Sequence, residues 1–114
     1  MQRVLVAGAT GYLGGFVLSE LKARGRWVRA LVRSPGKLSH QEIRPDEVAE
    51  AEITRPDSLG GVCEDIDCVF SSVGITRQKD GLTFRDVDCQ GNLNLLKEAE
   101  AAGVGRFVYV SVLN

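Results

Sequence analysis

The chain has 114 residues, enough for one small domain with a buried core but not for two. Its 14 Lys and Arg nearly balance 15 Asp and Glu, leaving a formal net charge of −1, which argues against long nucleic acid or an anionic membrane as the partner. Cys63, Cys68 and Cys89 lie in no metal-ligand spacing and are expected as reduced thiols, mostly buried, while the single His40 sits in a polar stretch and is expected at the surface, so a zinc site and a histidine-based triad are disfavoured.

Residues 3–7 (RVLVA) form a β-rich run without strict alternation, the pattern of a parallel strand covered on both faces. This run is too short, and too soon broken by glycine, for the core of a signal peptide, and no apolar stretch reaches membrane-spanning length. Cytoplasmic residence is therefore the expectation. Leu13, Phe16, Val17 and Leu21 then recur at helical spacing, and Gly25 follows as a stop. Residues 27–32 (WVRALV) read as a second strand, and residues 35–45 are polar and weakly helical. A third strand is expected at 48–53, although Glu and Ala are poor strand formers. Residues 56–63 predict a short helix weakened by Gly60 and Gly61. Residues 68–73 (CVFSSV) are a fourth strand, followed by the polar loop GITRQKDGLT. The longest helical stretch covers 84–102, with Val87, Leu93, Leu96 and Ala99 as inward positions and Gly103 and Gly105 ending it; residues 106–113 (RFVYVSVL) are the fifth strand.

Strands alternating with helices predict an α/β fold, a doubly wound parallel sheet in three layers. Right-handed crossovers give the order 3-2-1-4-5 and place a crevice at the carboxyl ends of strands 1 and 4, where the order reverses. The run GATGYLGG sits at that point. Gly8 would make the tight turn, Gly11 would let a diphosphate approach the backbone, and Gly14 would let the helix lie close to the sheet, while Thr10 can add a hydroxyl donor. The N–H groups at the helix start would point at phosphate oxygens. The run lacks the Gly-Lys-Ser/Thr ending of a triphosphate loop, so a kinase or ATPase reading fails. A purely structural turn is the plainer alternative.

Dinucleotide sites for an unphosphorylated ribose place Asp or Glu about twenty residues past the glycines, at the end of the second strand. Here that place reads LVRSPGKL, with Arg33 nineteen residues after Gly14, Lys37 beside it and no acid before Glu42. An arginine there can stack on adenine and pair with a ribose 2′-phosphate, which favours NADP(H) over NAD(H). A solvated surface arginine is the alternative.

Together GATGYLGG, LVRSPGKL, the VFSSVG strand end and VDCQGNLNLLKEAEAAGVGRFVYVSV resemble the atypical short-chain dehydrogenase/reductase group, the NmrA-like and NAD(P)-binding Rossmann proteins, through essentially the whole chain. The resemblance implies a Rossmann-type domain over 1–114, forming the N-terminal portion of a longer fold. It implies that Gly8, Thr10, Gly11, Tyr12, Leu13 and Gly14 form the diphosphate turn and that Arg33 and Lys37 hold the 2′-phosphate. Glu52 and Ile53 match the place that lines adenine, where Asp is commoner than Glu. Ser72, Val73 and Gly74 match the place that passes the nicotinamide ribose, although Val73 reads equally as core. Ser111 matches a Ser or Thr near the nicotinamide, with a strand hydroxyl as the alternative.

Catalytic members of the group use a Tyr with a Lys four residues later, the ammonium lowering the phenol pKa. Here Phe16 follows Tyr12 and Leu113 follows Tyr109 at that spacing, so no pair is present in this chain. The resemblance therefore supports two functions, the cofactor-binding part of an oxidoreductase or epimerase and a non-catalytic NADP(H)-binding sensor or scaffold. The fifth strand is expected as an exposed apolar edge, open to pairing with further chain or with a second copy.

Overall fold

In the computed structural model the described residues are 2–40, 42–73 and 82–110, with the backbone alone described at 39, 40 and 82–88. Strand β1 (Arg3–Ala7) leads into helix α1 (Tyr12–Ala23), and strand β2 (Trp27–Val32) into a 3-10 turn at Pro35–His40. Strand β3 (Glu47–Glu50) is followed by a second 3-10 turn at Pro56–Leu59, then strand β4 (Cys68–Ser71), helix α2 (Leu82–Ala101) and strand β5 (Arg106–Tyr109). The strands make one parallel sheet in the order β3-β2-β1-β4-β5, as expected.

The apolar run of β1 is buried on both faces because its successive side chains feed two separate cores. Val4 and Val6 pack with Leu18 of α1, with Val28, Ala30 and Val32 of β2, and with Leu38 of the first 3-10 turn. Leu5 and Ala7 point the other way, into a core with Leu31, Leu59, Val69, Leu95 and Ala99. Leu5, Leu18 and Leu95 are wholly inaccessible, so truncating any of them to alanine would cost about 2–5 kcal/mol. Gly25, at φ +75°, and Gly103, at φ +77°, end the two helices in the left-handed conformation that glycine adopts without strain.

Arg29 lies in β2 with its side chain turned into the second core, and the residue is only 7% exposed. A buried guanidinium needs its donors filled. It donates to the Glu47 carboxylate and to the carbonyls of Val62 and Glu64, so its charge ties β3 and the 62–64 turn to the sheet. Asp46, just before β3, makes a similar tie on the other side. It accepts from Lys22 Nζ of α1 and from the Val28 N–H.

Several expectations need correction. Strand β3 ends at Glu50, three residues early, because Ser58 Oγ takes both the N–H and the C=O of Glu52 and draws the chain out of the sheet. Strand β4 ends at Ser71 rather than at residue 73, and the helix expected at 56–63 is only the 3-10 turn Pro56–Leu59, ended by the glycine pair, with Gly61 at φ +82°. The inward face of α2 is Gly91, Asn92, Leu95 and Ala99; Leu93 is exposed and Leu96 half-buried. The apolar spacing misled because the face is set by a glycine and an asparagine, which hydrophobic periodicity does not count. Strand β5 ends at Tyr109 rather than at residue 113, with Val110 already out of the strand and 111–114 outside the described residues, as are the side chains of Val87 and His40. Cys63 is buried and Cys68 half-buried, but Cys89 is exposed, against the expectation of mostly buried thiols.

Candidate functional site

The glycine run joins the end of β1 to the start of α1, and two of its glycines are required by the protein itself. Gly8 has φ +88°, and a Cβ there would stand 2.8 Å from Ser72 Oγ. Gly14 is tighter: its Cβ would lie 1.9 Å from the Gly8 carbonyl oxygen. The first turn of α1 thus rests on the backbone of the turn that precedes it. Gly11 differs, since a Cβ there meets nothing closer than the Gly8 carbonyl oxygen at 3.4 Å. Among the described residues no protein atom demands a glycine at that position.

Gly11 is the N-cap of α1 and supplies no side-chain cap, and the first turn carries no acidic residue. The N–H groups at a helix start have no partner within the helix, so an uncapped start facing a crevice suits an anion. Thr10 and Tyr12 are exposed beside it, and Leu13 is half-buried.

Across the crevice the end of β4 is fixed by a buried network. Ser71 Oγ donates to Asn92 Oδ1 of α2, and Asn92 Nδ2 donates to the Val73 carbonyl at 3.4 Å. The Val73 N–H in turn lies 3.4 Å from Ser71 Oγ. Ser72 is buried and its N–H donates to the Ala7 carbonyl at 3.1 Å, which brings it beside Gly8. Val73 is half-buried against the core. Gly74 and Ser111 lie outside the described residues.

At the end of β2, Arg33 and Lys37 are both exposed, and the turn carrying them is anchored by the buried Leu38. Arg33 Nη1 lies 3.5 Å from Glu52 Oε2. Ile53 is buried, its carbonyl accepts from Asn94 Nδ2 at 2.9 Å, and Gly91 leaves room for its side chain, since a Cβ on Gly91 would fall 2.7 Å from Ile53 Cγ1. The structure therefore gathers the Gly8–Gly14 turn, Ser72 and Val73 around β1 and β4, and Arg33 and Glu52 beyond β2 and β3. Ser58, Ser71, Gly91, Asn92 and Asn94 hold these pieces in place. Reading the sequence assigned none of them a role, although two asparagines inside one helix, where asparagine is a poor helix former, were a usable signal.

Neither Cys63 nor Cys68 is set up as a nucleophile. Burial pushes Cys63 up to about 11, the Glu98 charge adding to this and Arg29 opposing it. Burial also raises Cys68, against the pull of Arg106. Both are protonated near neutral pH. Among the described residues no group of His, Cys, Asp and Glu is arranged to hold a metal ion, and no helix is long and apolar enough to cross a membrane.

A parallel sheet in this order, with a glycine turn at the carboxyl end of its central strand, defines a Rossmann-type nucleotide-binding domain. The chain belongs to the NAD(P)H-binding family, whose profile matches residues 8–114, and is an atypical short-chain dehydrogenase/reductase-like NAD(P)-binding domain. It is 36% identical over 111 residues to the photosystem II assembly factor Ycf39 of Synechocystis sp., covering 97% of this chain and 34% of the relative. It is 35% identical over 118 residues to a 3 beta-hydroxysteroid dehydrogenase/Delta 5→4-isomerase of Mycobacterium tuberculosis, covering 96% and 31%. Among solved structures, a putative NAD-dependent epimerase/dehydratase from Bacillus halodurans superposes with a TM-score of 0.82 at 27% identity, covering 99% of this chain and 52% of that one. The chain thus spans about a third of the curated relatives it matches.

Proposed function

We propose that this chain is the NADP(H)-binding portion of an oxidoreductase or epimerase that acts on a small molecule in the cytoplasm. One observation carries the reading: an uncapped helix start follows a turn where Gly14 packs on the Gly8 carbonyl, while the next strand is followed by Arg33 rather than by an acid. The residues fit a dinucleotide. Gly8, Thr10, Gly11, Tyr12, Leu13 and Gly14 would hold the diphosphate through backbone N–H groups and the Thr10 hydroxyl. Arg33, with Lys37, would take the 2′-phosphate as a planar fork beside a point charge. Glu52 and Ile53 would bound the adenine, Ser72, Val73 and Gly74 would pass the nicotinamide ribose, and Ser111 would come near the nicotinamide.

The nicotinamide, when bound, supplies the hydride chemistry. This chain's part is to bind and orient it. The rigid Ser71–Asn92–Val73 network supports this reading by fixing the backbone on which the ribose would rest. Three free cysteines fit a reducing compartment. The β5 edge, where Val108 and Tyr109 are exposed, would pair with further chain or with a second copy; a strictly monomeric chain at high concentration in sedimentation would count against pairing between copies.

Calorimetric titration with NADPH and NADH tests the main reading. NADPH should bind at least about tenfold tighter, as a charge-assisted contact to phosphate is worth roughly 1.5–3 kcal/mol, and Arg33→Ala should remove the difference. Equal binding of both cofactors by the unmodified chain would cancel the role given to Arg33.

A further inference from the structure

Arg33 and Glu52 form an unequal pair. The arginine side chain is 57% exposed and the glutamate 28%. The Glu52 backbone is also held at both its N–H and its carbonyl. Its N–H lies 3.1 Å from Ser58 Oγ, and its carbonyl accepts from Ser58 Oγ at 2.9 Å and from the Arg55 N–H at 2.9 Å. Its Oε1 faces the Thr54 N–H at 3.4 Å, which leaves Oε2 toward Arg33. The next residue, Ile53, is pinned by Asn94. Glu52 is the better anchored and less exposed partner, and the guanidinium on its long exposed stem has more room to move.

We infer that Glu52 is a specificity-determining residue that competes with the ribose 2′-phosphate for Arg33. This rests on the reading of Arg33 given above. A 2′-phosphate approaching Arg33 must share it with, or displace, the carboxylate beside it, and it meets that carboxylate's negative charge. A 2′-hydroxyl carries no charge and meets neither opposition. Glu52 therefore weakens NADPH selectively and narrows the gap between the two cofactors. Asn94, Ser58 and Gly91 act through Glu52 and Ile53 as positioning residues, because they keep the carboxylate in place.

The test is calorimetry of NADPH and NADH on the chain itself, with Glu52→Gln, Arg33→Ala and the double variant. Exposed ion pairs are weak, so the expected gain is modest. Glu52 would also bound the adenine that both cofactors share, so the readout is their ratio: Glu52→Gln should raise NADPH affinity relative to NADH by roughly threefold. The gain should vanish when Arg33 is alanine and should shrink at about 0.5 M salt, where screening is strong. If Arg33→Ala weakens NADPH but Glu52→Gln does not raise NADPH affinity relative to NADH, the competition is overturned while Arg33 keeps its role. If Arg33→Ala leaves the ratio of the two cofactors unchanged, the reading of Arg33 fails and the competition fails with it. Glu52→Asp, with a shorter reach, should shift the ratio in the same direction by less, and it covers the case in which the amide disturbs the turn.

Discussion

The two ends of the cradle are built from different materials. At the glycine turn the shape is backbone resting on backbone: Gly14 leaves room for the Gly8 carbonyl, and Gly8 for Ser72. At the far end the shape is made by exposed side chains, Arg33 and Lys37, steadied by Glu52. Backbone cannot give way by a few tenths of an ångström without moving a whole element, whereas a side chain can swing. A diphosphate common to all dinucleotides can be met by the rigid end, and the choice between cofactors can be left to the adjustable one.

The largest effect that would break this contrast is expected at Gly14. A methyl group there would sit 1.9 Å from the Gly8 carbonyl oxygen and 2.5 Å from the Gly8 carbonyl carbon. Gly14→Ala should lower stability by about 3 kcal/mol, seen in urea unfolding, and should abolish binding of both cofactors. Gly11→Ala sharpens the contrast in the opposite sense. Gly11 has φ −83° and ψ 173°, which alanine adopts freely, and the nearest atom is at ordinary contact distance. The variant should stay within about 1 kcal/mol of the parent, because the smaller freedom alanine loses on folding is set against its poorer fit at a helix N-cap. It should still bind both cofactors at least about tenfold more weakly, a loss of roughly 1.4 kcal/mol. Full binding by Gly11→Ala would mean that nothing approaches the backbone there.

The smallest effect provides a scale for ion pairs away from the cradle. Asp46 bridges α1 and β2 through Lys22 and the Val28 N–H. Burial pushes its carboxyl up, but these bonds and the Lys22 charge outweigh burial and hold it below the ordinary 3.8. A carboxyl lowered by folding stabilises the native state above its unfolded value and loses that contribution as pH falls through its folded value. Asp46→Asn should cost under about 1 kcal/mol at pH 7. The gap between variant and parent, followed by thermal unfolding, should close as pH drops below 3.8.

The contrast also explains what was legible in the sequence. The glycine turn could be read residue by residue, because a positive φ and a close approach each demand glycine. The strand order followed from apolar runs and the right-handed crossover rule. The inward face of α2 could not be read from apolar spacing, since Gly91 and Asn92 occupy it for reasons that lie on other elements, against Ile53 and beside Ser71. The early end of β3 was hidden for the same reason. Ser58 must fold back on Glu52 before its hydroxyl can replace a strand partner, and no local pattern announces that. Arg33 was visible as a residue type in the right place, but its pairing with Glu52 required the fold.

The contact between Gly8 and Ser72 has a kinetic consequence. The β1–β2 pairs, such as Val4 with Val28, join segments close in sequence, while the β1–β4 pairs, such as Val4 with Cys68, must close a loop of about 60 residues. Contacts so distant are slow to form, so β4 takes its place after the β1-α1-β2 unit. The floor of the glycine turn is Ser72, and it arrives with β4. Competence to bind is therefore acquired late in folding. A ligand that recognises only the completed turn protects the molecule against global opening, and it leaves the first βαβ unit, taken alone, with nothing to bind.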